Sequence, residues 1–138
     1  MAQTPEDMLA RLAAEAAIQA VLARYCHAID DGDLAALGAC FTADAELHAF
    51  GRDRTGREAI TALLDKVIPA DRRGKHLTAN TVIGDIVVDP DGTRTAHARS
   101  DFAFLGPDGS ATTGRYEDDL AAVGEDWRIA TRRILLRE

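Results

Sequence analysis

The sequence predicts an α+β domain in which a curved, mostly antiparallel sheet wraps around N-terminal helices and gives the molecule the shape of a cone. Before about residue 31, the apolar residues recur at three- and four-residue spacing, which is typical of a helix with one buried face. From residue 76 onward, long strand-like runs are separated by three turn signals, namely Asp89-Pro-Asp-Gly92, Gly106-Pro-Asp-Gly109 and Gly124-Glu-Asp126.

Two helices are predicted at the N-terminus. Thr4 is a good cap residue, Pro5 suits the first helical position, and acidic residues follow in the first turn. We expect this helix to run to about Asp31, where Gly32 breaks it. Asp33 then caps a short second helix, whose apolar residues Leu34, Leu37, Cys40 and Phe41 follow helical spacing.

A first strand and a third helix come next. The run 45–50 predicts a strand, and Thr55-Gly-Arg-Glu58 has the form of a capping box ahead of a helix that ends before Pro69. Four long strands then form a meander, near 76–88, 93–105, 110–123 and 127–137. Gly84 and Gly114 lie inside two of these strands, where glycine commonly marks a bulge or bend, so we expect a strongly curved sheet enclosing a pocket.

The size and charge of the chain restrict its function. With 138 residues and 46% hydrophobic content it can build one core, so we expect a single domain over 1–138. The net charge of −7 opposes binding to nucleic acid and to anionic membranes, although Arg72, Arg73 and Lys75 could form a local basic patch.

The location and the cysteines follow from simple patterns. No apolar run approaches the ~20 residues of a membrane span, and the first residues are acidic where a secretory signal would be basic, so we expect a cytoplasmic protein. Cys26 and Cys40 fit no metal or redox motif and lie at apolar-type helical positions, which predicts buried, inert thiols.

Asp30, His76 and His97 are the candidate catalytic residues. Asp30 lies at the end of the first helix, and each histidine lies at or near the start of a strand. An imidazole changes charge near neutral pH, and a neighbouring carboxylate can fix its tautomer, so such a set can transfer protons in either direction. A carboxylate is unfavourable at the C-terminal end of a helix, which favours a functional reason for Asp30.

Strand alternation identifies further candidates but does not settle which face is inward. Asn80 shares a face with His76, whereas His97, Arg99 and Asp101 share one face of the next strand. A solvated outer face explains that second row of charges equally well. Trp127 is most simply a core residue.

The segments 24–33, 75–80, 114–120 and 125–130 resemble the SnoaL-like group of the nuclear transport factor 2 superfamily. The resemblance covers nearly the whole chain and implies a cone-shaped, cystatin-like α+β barrel. It does not fix the activity, because the superfamily includes dehydratases, isomerases, polyketide cyclases, epoxide hydrolases, oxygenase small subunits and non-catalytic binders.

Among the enzymes of this superfamily, the polar residues match scytalone dehydratase best. Asp30, His76 and His97 fall on the positions of its catalytic aspartate and two histidines. Its substrate-binding asparagine is replaced by Tyr116. Tyr25 is a candidate to supply a hydroxyl in the pocket, and a core tyrosine is the alternative. His48, on the opposite strand, is a further candidate for the pocket lining.

A rival comparison is with limonene epoxide hydrolase, because Arg99 and Asp101 match its Arg-x-Asp pair. Arg132 occupies the place of the second aspartate of that enzyme, so the reaction cannot be carried over, and a structural ion pair between Arg99 and Asp101 is the alternative. The candidate substrate-binding residues are therefore Tyr25, His48, Asn80, Arg99, Asp101 and Tyr116.

Two hypotheses for function follow from the resemblance. The first is a cofactor-independent lyase or isomerase acting on a small hydrophobic cyclic, polyketide-like or steroid-like molecule. The second is a non-catalytic small-molecule binder, or the small subunit of a ring-hydroxylating oxygenase. The resemblance implies no metal or organic cofactor, although Asp30, His76 and His97 could formally make a two-His, one-carboxylate metal site. It also implies a homodimer or homotrimer.

Overall fold

The structure, a computed structural model, describes residues 3–137. Its elements follow in this order: α1 (Pro5–Asp31), α2 (Leu34–Ala39), β1 (Phe41–Ala49), β2 (Arg52–Thr55), α3 (Arg57–Val67), a 3-10 turn (Ala70–Arg72), β3 (Lys75–Ile83), β4 (Val87–Val88), β5 (Arg94–Leu105), β6 (Ala111–Val123) and β7 (Asp126–Arg137). Helices followed by a curved, unclosed sheet confirm the predicted α+β class.

Local signals define both ends of α1. The Thr4 hydroxyl accepts a hydrogen bond from the backbone N–H of Asp7, and the Asp7 carboxylate accepts one from the backbone N–H of Thr4, both at 3.1 Å. These two bonds form a capping box and satisfy N–H groups that a helix start leaves free. Gly32 ends the helix in the left-handed region with φ of 68°, which favours glycine. The predicted bounds of this helix are confirmed, and Asp30 is fixed in its last turn.

The strands lie in the order β2-β1-β7-β6-β5-β3, and the short β4 pairs with β5. Adjacent strands are antiparallel except β1 and β7, which run parallel. The long strand predicted near 76–88 is wrong in part, because β3 ends at Ile83 and a separate β4 follows. Its backbone is irregular even earlier, with a shift in register after Ala79 and a positive φ of 55° at Asn80.

The N-terminal part of the sheet also differs from the prediction. Phe41 begins β1 rather than ending α2. The predicted capping box at 55–58 is wrong, because Thr55 is the last residue of β2 and Gly56 takes the N-cap position of α3 without a side-chain bond. The Arg57 side chain instead donates a hydrogen bond of 2.9 Å to the carbonyl of Phe41, which ties the start of α3 to β1.

The core lies between α1 and the concave face of the sheet. Apolar side chains of α1 such as Ile18, Val21 and Leu22 are almost completely buried there, and each contributes about 1.5–3 kcal/mol through its removal from water. Trp127 is buried, as predicted, and so are both cysteines. The opposite, convex face of the sheet carries most of the charged strand residues. Between residues 3 and 137, no helix is both long and apolar enough to cross a membrane.

Gly114 leaves room for atoms of the two strands that flank it in the sheet, β5 and β7. It lies inside β6 without a bulge, since the irregularity between β6 and β7 falls after Asp119. A methyl group added at Gly114 would clash with the carbonyl oxygen of Leu135 and would approach the Phe102 ring to 2.6 Å. Phe102 stacks on Tyr116 with ring centroids 4.3 Å apart, so the glycine makes room for this aromatic pair.

We expect Gly114→Ala to lower the free energy of unfolding by about 1–3 kcal/mol, because the added methyl must displace either backbone or a packed ring. Chemical denaturation measures this effect. Gly38→Ala is the matched control, since the nearest atom to its added methyl is 3.6 Å away and alanine favours the helix by about 1 kcal/mol. Equal stability of the two variants would contradict the close packing at Gly114.

Candidate active site

Asp30 and His76 form a buried pair at the junction of α1 and β3. The Nδ1 atom of His76 lies 2.6 Å from Oδ1 of Asp30, and the side chains are only 6% and 9% exposed. The backbone N–H of His76 also donates to both carboxylate oxygens of Asp30, at 3.0 and 2.9 Å. One carboxylate therefore holds the main chain and the ring of the same residue, which fixes the orientation of the imidazole.

The other side of the imidazole faces a cavity of about 230 Å³. Among residues 3–137, no protein atom hydrogen bonds Nε2 of His76, and this nitrogen is not sealed from the cavity. The ring packs against Phe104 with centroids 4.7 Å apart. The walls are mainly apolar and are contributed by Ile29, Phe50, Leu64, Val67, Ile68, Phe102, Phe104, Ile134 and Leu136. Such a site suits a small ligand that is mostly hydrophobic.

Tyr25 and Tyr116, both candidates for the pocket from the sequence, line the deep end of the cavity. Each is 1% exposed, and the two rings meet edge to face at 5.8 Å. Burial raises the pKa of Tyr25 to about 12 and raises that of Tyr116 as well. Both hydroxyls are therefore protonated at neutral pH and can donate hydrogen bonds to a ligand.

A buried ion pair supports these two tyrosines. Nε and Nη2 of Arg132 donate to the two carboxylate oxygens of Asp118 at 2.8 and 2.9 Å. The guanidinium carbon lies 4.2 Å from the ring centroid of Tyr25 and 3.8 Å from that of Tyr116. Burial alone would lower the pKa of Arg132, but the Asp118 carboxylate outweighs burial and raises it. A permanently charged group that does not itself line the cavity thus packs against the rings of both tyrosines.

The prediction that His97 shares this pocket is wrong. Its side chain is 85% exposed on the convex face of the sheet, where it pairs with Asp119 of β6. Successive side chains of a strand point to opposite faces, and in β5 Ala96, Ala98 and every second residue after them point inward. His97 lies between two inward positions and therefore points outward. A metal site made of Asp30, His76 and His97 cannot form for the same reason. Residues 3–137 contain no other cluster of three His, Cys, Asp or Glu residues suited to a metal ion.

Four of the predicted substrate-binding residues also lie outside the cavity. Asp101 accepts hydrogen bonds from Asn80 at 3.1 Å and from Arg115 at 3.0 Å, so its ion pair is not with Arg99. Arg99 is exposed on the same convex face. His48 contacts Asp53 at 2.7 Å on the neighbouring strand β2. His48, Arg99 and Asp101 occupy outward positions of their strands. Asn80 lies where the edge strand β3 is irregular.

Sequence reasoning missed two parts of the site. Arg132 was assigned no role beyond replacing an aspartate, because simple alternation along the last strand puts it on one face with Arg128. A register irregularity between β6 and β7 instead places it on the side where Ile129 and Ile134 are buried, and alternation alone carries no signal for that irregularity. Arg72, in the 3-10 turn, lines the cavity, whereas the sequence predicted only that it belongs to a local basic patch.

Comparison with known proteins places this geometry in a family. The SnoaL-like domain matches residues 10–133, and the chain therefore belongs to the SnoaL-like family. This confirms the resemblance to that group of the nuclear transport factor 2 superfamily. A comparison with curated proteins finds no significant match.

Three solved structures illustrate the similarity. Rv3472 from Mycobacterium tuberculosis, a protein of unknown function, is 30% identical with a TM-score of 0.77, covering 100% of this chain and 79% of that one. A protein from Novosphingobium aromaticivorans, provisionally named scytalone dehydratase, is 23% identical with a TM-score of 0.78 and coverages of 93% and 87%. Hexachlorocyclohexane dehydrochlorinase LinA type 2 is 18% identical with a TM-score of 0.76 and coverages of 94% and 89%. The last two similarities establish the fold alone.

We expect Asp118→Ala to destabilise the protein by about 3–5 kcal/mol, because it leaves the buried Arg132 cation without its counter-charge. Thermal or chemical unfolding measures the loss. Asp101→Ala is the matched control, since it removes an aspartate from an exposed pair with Arg115 and should have little effect. Similar losses in the two variants would contradict the role assigned to the buried pair.

The two tyrosines also predict how the protein responds to alkaline pH. The chain has 2 tyrosines, and the pKa of Tyr25 rises from 10.0 to about 12 in the folded state. Between these values the native state holds protons that the unfolded state has released, so stability should fall as pH rises from 10.0 to about 12. Tyrosinate absorbance in the near ultraviolet measures the ionisation. A folded protein whose tyrosines are half ionised at pH 10.0 would contradict their burial.

Proposed function

We propose that the chain is a cofactor-independent lyase or isomerase in which His76 is the catalytic base. The observation that carries this proposal is the buried Asp30–His76 pair, whose ring faces a mainly apolar cavity. The substrate is a small hydrophobic cyclic or polyketide-like molecule. At about 230 Å³ the cavity is at the small end of ligand sites, which favours one or two rings over a steroid.

Asp30 determines which nitrogen of His76 is basic. A carboxylate is an acceptor, so the short contact to Nδ1 places a proton on that atom and leaves the lone pair on Nε2. Nε2 is the atom that lacks a protein partner within residues 3–137 and faces the cavity. Asp30 also stabilises the imidazolium that forms when Nε2 accepts a proton.

The reaction needs one base and one hydrogen-bond donor. Nε2 of His76 removes a proton from the carbon beside a substrate carbonyl, and the electron pair moves onto the carbonyl oxygen as an enolate. The hydroxyl of Tyr25 or Tyr116 donates a hydrogen bond to that oxygen. The enolate then re-forms the carbonyl and expels a hydroxyl group from the next carbon of the substrate, and this hydroxyl takes the proton from the imidazolium and leaves as water. Where the substrate carries a carbon–carbon double bond beside the reacting carbon in place of the hydroxyl, the enolate is conjugated with it. The imidazolium then returns the proton to the far carbon of that bond, and the double bond moves next to the carbonyl.

This scheme differs from the candidate set of Asp30, His76 and His97 that the sequence indicated, because only one of the two histidines takes part. Since His97 lies on the convex face, a single imidazole must accept the proton and return it. The names of two similar structures, a dehydratase and a dehydrochlorinase, both describe eliminations and support this reaction class over a purely binding role.

Hydrogen–deuterium exchange tests the first step without knowledge of the natural substrate. The protein is incubated in deuterated water with a panel of one- and two-ring ketones, and loss of the proton beside the carbonyl is followed by NMR. We expect the unaltered protein to accelerate exchange of at least one ketone and His76→Gln to lower that rate by about 10²–10⁴-fold, the usual range for a lost general base.

His97→Gln is the matched control, because it makes the same change on the convex face. It should keep the full exchange rate. Equal losses in the two variants, or an unchanged rate in His76→Gln, would contradict the assignment. Binding of the ketones without any exchange in the unaltered protein would favour the non-catalytic binder instead.

A further inference from the structure

The three basic residues of the segment 72–75 lie in three different environments. Arg73 pairs with Asp65 at 3.2 Å and packs over Gly32. Lys75 is exposed at the start of β3 and does not line the cavity. Arg72 does line it. A run of three neighbouring cations thus contributes one guanidinium to the site.

Arg72 lies at the open end of the cavity. The tyrosines at the deep end are each 1% exposed, whereas Phe50 is 38% and Leu136 is 50% exposed. Arg72 and Thr112 are exposed lining residues as well. The cavity therefore runs from a closed end with neutral hydroxyls to a mouth with a cation, and the imidazole of His76 lies on the wall.

Arg72 is available to a ligand. No carboxylate of residues 3–137 lies within ion-pair distance of its guanidinium, in contrast to Arg73 and Arg132. The lining of the cavity contains no Asp or Glu. The pKa of the Asp108 carboxyl is lowered first by hydrogen bonds from Ser110 and only lastly by the charge of Arg72, so Asp108 is a distant neighbour rather than a partner.

The segment that carries Arg72 is held in place. Pro69 precedes the 3-10 turn, and Gly74 follows it in a close approach to β5, where a methyl group would clash with the carbonyl oxygen of Leu105. His76 comes two residues later and is fixed by Asp30. The cation and the imidazole are thus presented by one short, anchored stretch of chain.

The charge of Arg72 indicates a monoanion. A guanidinium recognises a carboxylate through two parallel hydrogen bonds. One cation balances one negative charge, and the net charge of −7 on the chain opposes a dianion such as a phosphate monoester. The apolar walls require that the rest of the ligand be hydrophobic.

We propose that Arg72 is a specificity residue and that the substrate is a one- or two-ring compound bearing a carboxylate, which binds Arg72 at the mouth. This inference rests on the proposed function only in taking the cavity as the substrate site. The carboxylate at the mouth orients the molecule, so that its rings lie against Phe102 and Phe104 and its carbonyl points towards the buried tyrosines.

Binding of matched aromatic probes tests the inference without any turnover. Naphthoate and the neutral naphthamide have similar shapes and differ in charge, and titration calorimetry at low salt measures both affinities. We expect the unaltered protein to prefer naphthoate by about tenfold, as for a charge-assisted hydrogen bond at a partly exposed site. The preference should disappear in Arg72→Gln, and in the unaltered protein it should shrink as salt is added.

Arg73→Gln is the matched control and should keep the preference, because its guanidinium is committed to Asp65 outside the cavity. Naphthyl phosphate should bind no more tightly than naphthoate. The inference is overturned if the unaltered protein shows no preference for naphthoate, if Arg72→Gln retains it, or if the phosphate binds better.

His76→Gln separates this inference from the proposed function. It should still prefer naphthoate, since the carboxylate binds at Arg72. A preference lost in His76→Gln but kept in Arg72→Gln would place the anion at the imidazole and overturn the inference. Conversely, a normal carboxylate preference in a protein that exchanges no ketone proton would leave Arg72 as the anion site and would contradict only the catalytic role of His76.

Discussion

The hydrogen bonds between Asp30 and His76 connect the two halves of the molecule. Asp30 belongs to the last turn of α1, and His76 is the second residue of β3. The carboxylate accepts bonds from both the backbone and the ring of His76, so it fixes the edge of the sheet against the helix while it orients the imidazole. A carboxylate at a helix C-terminus opposes the helix dipole, and no basic residue in the last turn of α1 offsets it. The gain is a base whose position and tautomer are set before a ligand arrives.

The rest of the site depends on the same division between a concave and a convex sheet face. The concave face carries neutral tyrosines, apolar walls and one buried cation that is paired with Asp118 through two of its nitrogens, while its Nη1 has no hydrogen-bond partner among the described residues. The convex face carries ion pairs that water screens, such as Asp101 with Arg115. Hydrogen bonds are stronger where water is excluded, so chemistry that depends on a fixed proton position is favoured only on the concave face.

Signals that act within a few residues were read correctly from the sequence. Thr4, Gly32 and Asp33 each act through their own backbone geometry or capping bonds, so their consequences do not depend on the rest of the fold. That Asp30 and His76 meet in one pocket was also predicted, with support from the family resemblance, but Asp30 was expected to orient His97 and instead pairs with His76. Pattern alone would not have joined residues 46 positions apart.

The errors arose where distant parts of the chain decide the outcome. Alternation along β5 separated His97, Arg99 and Asp101 from Ala96 and Ala98, yet it did not say which set faces inward. The small residues lie inside because α1 fills the concave face, which no local pattern states. The parallel pairing of β1 with β7 and the interruption between β3 and β4 are likewise set by contacts across the sheet.

The central claim is that Asp30 holds His76 with its proton on Nδ1 and its lone pair on Nε2. Long-range proton–nitrogen NMR of the imidazole rings measures this directly, with His76→Gln to assign the signals. The account predicts, in the neutral ring, a protonated Nδ1 and an unprotonated Nε2 for His76, and a mixture of tautomers in Asp30→Asn. A neutral ring protonated on Nε2 in the unaltered protein would contradict it, because no base would then face the cavity.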